Sequence, residues 1–227
     1  MNNYIDGYCE RLEPGLWAEP LNALTNAAFI IAAIVMFIRP GVRNHAVTMI
    51  LCFWLFAIGV GSGLFHTFAT GLTALADVLS IALFVLTYLY ASNRYYWGLK
   101  LLPAAGLTVL FFPYAALMGF ILDRTMPWLG GSAAYCPIII LIFAYAFLLR
   151  NRLPRVARDL AIGAAILSVS LAFRWLDEPI CDAFPYGTHY VWHVLNAVML
   201  AWMIRALEAH LAENPGGDEE VRAKNGN

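Results

Sequence analysis

Charged side chains are scarce in this sequence. Asp, Glu, Lys and Arg make up 13% of its 227 residues, while 61% of the residues are hydrophobic. A soluble domain carries about twice that charged fraction, so the scarcity excludes an ordinary soluble globular protein. The sequence also lacks a basic stripe, and we therefore expect no nucleic-acid partner.

Long polar segments are missing as well. The apolar residues form membrane-length blocks separated by short polar joints, which predicts an all-α integral membrane protein with seven transmembrane helices. We place the spans near residues 22–39, 46–66, 72–91, 101–121, 132–149, 159–176 and 188–207. The first span lacks the preceding basic region of a cleaved signal peptide, so we expect it to be retained. The predicted organisation is an extracytoplasmic segment over 1–21, a transmembrane domain over 22–207 and a disordered cytoplasmic tail over 208–227.

Basic residues are nearly absent from every second joint. The joints after spans 1, 3 and 5 each hold two to four basic residues, whereas the joint over 67–71 holds none. By the positive-inside rule, the amino terminus lies outside or in a lumen and the carboxyl terminus lies in the cytoplasm. We expect a multi-pass protein of the plasma (inner) membrane if the source is bacterial, or of the ER or Golgi membrane if it is eukaryotic.

Three histidines interrupt the apolar blocks. His66 ends span 2, and His189 and His193 lie one helical turn apart at the start of span 7. Ionisable side chains within spans are costly and indicate a functional site. The predicted orientation brings these histidines and Asp77, near the start of span 3, to the same depth on the outer side. A single histidine here could equally be interfacial or hydrogen-bonded, but the shared depth favours one common site.

Three imidazoles with an open fourth position are typical of a catalytic zinc centre. Zinc makes hydroxide available near neutral pH, and the Asp77 carboxylate can exchange the proton. Ser62 lies one turn before His66 on the same helix face, where its hydroxyl can donate to an oxyanion or orient a ligand. The alternatives are small-residue helix packing for Ser62, between two glycines, and pairing with a cation for Asp77.

Other polar residues near the spans have simpler interpretations. We expect His45, in a joint, and His210, in the carboxyl tail, to be solvated. Arg174 and Asp177 are three residues apart at the end of span 6. This spacing predicts a local ion pair.

The pattern Ser62-x-x-x-His66, Asp77 and His189-x-x-Trp192-His193 resembles that of the alkaline ceramidases. The segments Cys9-Glu10 and Ala18-Glu19-Pro20-Leu21-Asn22 also resemble the amino end of that family. Its wider superfamily of seven-span hydrolases includes progestin and adiponectin receptors. The short termini and compact joints resemble those of a bacterial member.

The resemblance implies an intramembrane amidohydrolase. Zinc would be held by His66, His189 and His193, with Asp77 as the proton-transfer residue and Ser62 as the oxyanion partner. The implied substrate is a ceramide-like N-acyl lipid of the bilayer, cleaved to a sphingoid base and a fatty acid. Two alternatives stay open: a hydrolase of another N-acyl or ester lipid, and a seven-helix lipid receptor in which zinc is structural. The oligomeric state is also open.

The resemblance further implies a disulfide between Cys9 and Cys181. The charge argument places both residues on the outer side, where an oxidising compartment allows the bond to form. The alternative is two free thiols.

An amino-terminal calcium site is the last implied feature. Its carboxylates would come from Asp6, Glu10 and Glu19, since calcium takes several oxygen ligands. The sequence departs from the family pattern at Arg11-Leu12, where a further acid and an amide are expected. The alternative is an ordinary acidic outer face.

Overall fold

The computed structural model describes residue 5, residues 7–13 and residues 15–214. All regular secondary structure in this part of the chain is helical, and seven helices are long and apolar enough to cross a membrane. They are α1 (Pro20–Phe37), α2 (Ala46–Phe68), α3 (Gly71–Tyr96), α4 (Leu101–Thr125), α5 (Pro127–Leu149), α6 (Pro154–Leu176) and α7 (His189–Glu213). The predicted all-α multi-pass fold and its number of spans are thereby confirmed.

Several helices are interrupted where local chemistry requires it. Within α4, the segment Leu101–Val109 ends before Phe111–Thr125 begins, because Pro113 has no N–H to donate to the carbonyl four residues earlier. Helix α5 begins as a 3-10 segment, Pro127–Tyr135, before the regular turns of Cys136–Leu149. Helix α1 consists of the segments Pro20–Thr25 and Ala27–Phe37, and α3 ends in a π-helical turn, Ser92–Tyr96.

The turn between α2 and α3 is short and tightly held. Ala69 ends α2 in the left-handed conformation, with φ of 47°. The Thr70 hydroxyl accepts a hydrogen bond from the Thr73 N–H at 3.3 Å, and the Thr73 hydroxyl accepts one from the Thr70 N–H at 3.1 Å. This reciprocal capping box fixes the start of α3. It thereby sets the position of Asp77 relative to His66.

Helices α2 and α7 lie at the centre of the bundle. Helix α7 packs against α6, α1 and α2, and α2 also packs against α1 and α3. Their shared core is formed by large aliphatic side chains such as Leu51, Leu55, Ile58, Ile204 and Leu207. Helix α4 is peripheral, and its exposed apolar side chains suit contact with lipid.

The last helix continues past the predicted end of its span. It runs to Glu213, and the Glu208 carboxylate pairs with Arg39 at 2.8 Å. His210 is buried, and its Nε2 lies 3.2 Å from the Tyr95 carbonyl oxygen. The expectation of a solvated His210 is therefore wrong, because this helical turn packs against the end of α3. Residues 215–227, most of the predicted tail, lie outside the described part of the chain.

Candidate metal centre

Three buried histidines meet where the end of α2 faces the start of α7. His66 lies in the last turn of α2, while His189 and His193 occupy successive turns of α7. One ligand nitrogen from each ring lies within 4.8 Å of the others. Of the residues described, these form a group that could hold a metal ion. The i,i+4 spacing puts both α7 histidines on the face that packs toward α2.

The hydrogen bonds of two of these rings determine which nitrogen faces the centre. The Thr25 hydroxyl donates to the Leu21 carbonyl oxygen at 2.7 Å, so it accepts from His193 Nδ1–H at 3.0 Å. The Glu19 carboxylate, at 2.5 Å, accepts from His66 Nδ1–H. Both rings therefore present an unprotonated Nε2, which is the state that binds a metal.

Unpartnered nitrogens point to the same conclusion. His189 Nδ1 and His193 Nε2 are buried and have no hydrogen-bond partner. A buried polar atom without a partner costs about 1–3 kcal/mol, and a metal ion would satisfy both atoms. Neutral imidazoles at this separation suit a divalent transition metal such as zinc.

Ser62 and Asp77 line the same cavity as His189 and His193. Ser62 is buried, and Asp77 Oδ1 is buried without a hydrogen-bond partner. Gly61 permits this arrangement, since a Cβ there would lie 3.0 Å from the Ala76 carbonyl oxygen of α3. The fold thus brings all five residues predicted for the zinc site into one place, and their chemical roles stay predictions.

The family model described as Ceramidase matches residues 8–223. The chain belongs to the Ceramidase family. Membership implies a hydrolase that acts on an amide bond of a lipid, and it confirms the resemblance found in the sequence. No curated protein and no solved structure matches the chain.

In this Ceramidase-family chain, Tyr8 also lines the cavity, although no pattern in the sequence pointed to it. Its ring stacks on His189 with the centroids 3.9 Å apart. Burial raises the pKa of the Tyr8 phenol above its usual value, so the hydroxyl stays neutral. Tyr8 therefore covers one ligand ring and adds a neutral hydroxyl to the site.

Arg174 enters the cavity instead of forming the predicted pair with Asp177. Its guanidinium donates to Ser132 Oγ at 3.0 Å and lies 5.4 Å from the Tyr135 ring centroid. The Asp177 carboxylate accepts hydrogen bonds from the backbone N–H groups of Thr188 and His189, at 2.6 and 2.8 Å. The prediction of a local ion pair is wrong. The N–H groups at the start of α7 have no acceptor within the helix, and they donate to the Asp177 carboxylate instead.

A disulfide holds the amino-terminal segment over the site. Cys9 and Cys181 are bonded, with their Cα atoms 5.2 Å apart and a sequence separation of 172. This is the pairing expected from the sequence. The Cys9 N–H also donates to Asp177 at 3.1 Å. Together these contacts keep Tyr8 beside His189.

The amino-terminal acids have protein partners. The Glu10 carboxylate accepts from the backbone N–H groups of Leu21 and Asn22, at 2.6 and 2.8 Å, and so caps α1. Burial raises the pKa of Glu10 even though these bonds lower it. Glu19 contacts His66, Arg11 and Asn22. Burial raises the pKa of Glu19 too, but His66 and Arg11 outweigh it and hold that pKa below its usual value. Asp6, the third predicted calcium ligand, lies outside the described residues.

Proposed function

We propose that this protein is a zinc-dependent intramembrane amidohydrolase that cleaves a ceramide-like N-acyl lipid to a sphingoid base and a free fatty acid. The observation that carries the proposal is the set of three buried histidines with unpartnered nitrogens, beside Asp77 and Ser62. Membership of the Ceramidase family supports the amide bond as the reacting group.

His66, His189 and His193 are the residues that would hold zinc. When bound, zinc supplies Lewis acidity toward the amide carbonyl and toward the attacking water. The remaining chemistry belongs to side chains of this chain. Neutral imidazoles leave the net charge of the ion uncompensated, which favours an anionic transition state next to it.

Asp77 is the proposed proton-transfer residue. Its Oδ1 is buried in the cavity without a hydrogen-bond partner, and is therefore free to accept a proton from the attacking water. The protonated carboxyl then donates to the leaving nitrogen, so that the amine departs in its neutral form. Arg174 lines the same cavity, and its guanidinium donates to Ser132 Oγ.

Ser62 is the proposed oxyanion partner. It lies one helical turn before His66 on α2 and lines the cavity with Asp77. Its O–H can donate to the amide oxygen as negative charge develops there. Tyr8 places a second neutral hydroxyl in the same cavity.

A lipid substrate is supported by the apolar space that continues from the site. Val85, Ile138, Met199 and Leu200 line the metal-site cavity and also line a second, almost wholly apolar cavity between α3, α5 and α7. The second cavity reaches Met203, ten residues beyond His193, which is about 15 Å along a helix. This space suits the acyl chain of an N-acyl lipid.

The orientation and domain limits expected from the sequence complete the proposal. The catalytic centre lies in the transmembrane domain, near its extracytoplasmic side, with the amino terminus outside and the carboxyl terminus in the cytoplasm. The substrate then enters from the bilayer, and water enters from the outer side.

The decisive experiment measures zinc and lipid hydrolysis on the same purified samples. We expect about one zinc per chain and release of fatty acid from an N-acyl sphingoid lipid in detergent. His189→Ala and His193→Ala should remove most of the zinc and the activity, whereas His45→Ala, at the opposite end of α2, should keep both.

Three outcomes would change the proposal. Full zinc content in the His189→Ala/His193→Ala double variant would remove the metal assignment. Cleavage of another N-acyl or ester lipid in place of the ceramide-like amide would change the substrate. Zinc-loaded protein that cleaves no lipid amide or ester would favour the receptor alternative.

A further inference from the structure

A buried guanidinium lies directly behind the metal centre. The Arg11 side chain is fully buried and forms an ion pair with Glu19. Its Nη2 donates to the His66 carbonyl oxygen at 2.8 Å, and its Nη1 donates to the Gly15 carbonyl oxygen at 3.3 Å. Arg11 is therefore linked to His66 twice: directly to its backbone, and through Glu19 to its imidazole.

Glu19 is the connecting residue. One carboxylate oxygen contacts Arg11, and the other lies 2.5 Å from His66 Nδ1. The side-chain amide of Asn22 donates to that second oxygen at 3.1 Å. Through the contact with Nδ1, the Glu19 carboxylate helps to hold the His66 ring toward His189 and His193.

We propose that Arg11 is a positioning residue of the metal centre: it is the chain's own cation at this place, and it fixes Glu19 and, through Glu19, the His66 ring without a bound calcium ion. The inference rests on the proposed metal-binding function. It concerns residues that do not touch the reacting atoms, and it names a role for Arg11 that the motif of histidines, Asp77 and Ser62 does not contain.

The burial of Glu19 explains why a cation is needed. A carboxylate that is 2% exposed is costly unless an opposite charge compensates it. Without Arg11, the Glu19 carboxylate would keep the neutral donors of His66 and Asn22 but no opposite charge from Arg11, and it could turn toward other donors. A carboxylate partner that holds a ligating histidine is a common support of zinc sites, and losing such support typically costs 10–100-fold in metal affinity or activity.

The contacts around Arg11 also explain why arginine suits the position. The Arg11 guanidinium donates to oxygens of the Glu19 carboxylate and of the Gly15 and His66 backbone carbonyls. Calcium takes the same kind of ligand, but here the planar guanidinium already donates to each of them. Lysine would keep the charge but would lose the fixed fork of donors that reaches several acceptors together.

The experiment compares zinc affinity in four proteins: wild type, Arg11→Gln, Glu19→Gln and the double variant. Affinity is measured by competition with a chromogenic chelator, and the cobalt-substituted proteins give a visible spectrum that reports ligand geometry. We expect each single variant to bind zinc about 10–100-fold more weakly and to show an altered cobalt spectrum. The double variant should lose about as much zinc affinity as either single variant and less than the two losses combined. Arg11 and Glu19 both act on zinc binding through the same contact with His66.

Matched controls separate positioning from general stability. Arg39→Gln removes an arginine from a different ion pair, with Glu208 near the other end of the bundle, and should leave zinc affinity unchanged. Arg11→Lys should recover part of the lost affinity, since it restores the charge. If Arg11→Gln does not fold, the zinc affinity of Arg11→Lys is compared with that of the wild type in its place. Millimolar calcium should change neither the zinc affinity nor the Tm of the wild type.

Contrary results are distinguishable from failure of the proposed function. Arg11 and Glu19 variants that keep wild-type zinc affinity and cobalt spectrum, with only a lower Tm, would reduce Arg11 to a structural residue. A wild-type zinc affinity that depends on added calcium would also overturn the inference. In both cases the amidase activity could stand. A wild type that binds no zinc would overturn the inference and the proposed function together.

Discussion

Thr25 orients His193 across the interface between α1 and α7. Its Oγ lies 3.0 Å from His193 Nδ1, and the same hydroxyl donates its proton to the Leu21 carbonyl oxygen at 2.7 Å. Because that proton is engaged, the hydroxyl can only accept from the imidazole. The contact therefore selects the His193 tautomer whose Nε2 faces the metal centre.

The first prediction tests this contact. Thr25→Val keeps the shape of the side chain and removes the acceptor, so zinc affinity should fall by about 10–100-fold, as for other lost partners of ligating histidines. Thr87→Val is the matched control, because the Thr87 hydroxyl also donates to a backbone carbonyl, at 2.7 Å, but lies in mid-α3. Equal zinc affinity in the two variants would show that Thr25 does not orient the ligand.

The second prediction concerns catalysis by Asp77. Asp77→Asn keeps the size but cannot transfer the proton, so turnover of a ceramide-like amide should fall by about 10²–10⁴-fold. Zinc content should persist, because the three histidines are intact. Asp123→Asn, on the exposed surface of α4, is the control. Unchanged turnover in Asp77→Asn would remove Asp77 from the mechanism.

The third prediction concerns Ser62. Ser62→Ala removes one donor to the developing oxyanion, and turnover should fall by about 10²–10³-fold. The loss should appear mainly in kcat, since the donor acts on charge that forms in the transition state. Steady-state kinetics on zinc-loaded protein make the measurement. A change confined to KM would indicate that Ser62 only shapes the cavity.

The fourth prediction concerns the Cys9–Cys181 disulfide. It joins residues with a sequence separation of 172, and loop-closure entropy assigns such a bond about 5 kcal/mol as an upper value. Cys9→Ser should lower the Tm and release Tyr8 from His189, whereas Cys136→Ser, at a free cysteine, should do neither. Mass spectrometry without reductant should recover the linked peptide. Free alkylation of both thiols in unreduced protein would contradict the bond.

The fifth prediction concerns the apolar cavity beyond the metal centre. Met203→Phe fills the far end of this cavity. We therefore expect kcat/KM to fall for long-chain amides and to stay unchanged for short-chain amides. Burial of each methylene contributes about 0.8 kcal/mol, roughly a fourfold effect. Met49→Phe, at an exposed position on α2, is the control. An unchanged chain-length profile would place the acyl chain elsewhere.

The fold class and the set of three histidines could be predicted from the sequence alone. Apolar blocks of membrane length specify spanning helices, because lipid leaves backbone groups no other partners. The four-residue spacing of His189 and His193 specifies one helix face, and the basic joints predicted that His66 and Asp77 share their depth. These properties depend on neighbouring residues or on a regular spacing, so they can be read directly from the order of the residues.

The groups that support those histidines could be identified only from the folded structure. Glu19 reaches His66 across 47 residues, and Thr25 reaches His193 across 168. The prediction that paired Arg174 with Asp177 from their spacing was wrong, because each side chain contacts a group that is distant in sequence. Arg174 donates to Ser132, and Asp177 accepts from the first N–H groups of α7. Such contacts depend on how helices pack and where a disulfide ties the chain, and neither has a fixed spacing in the sequence.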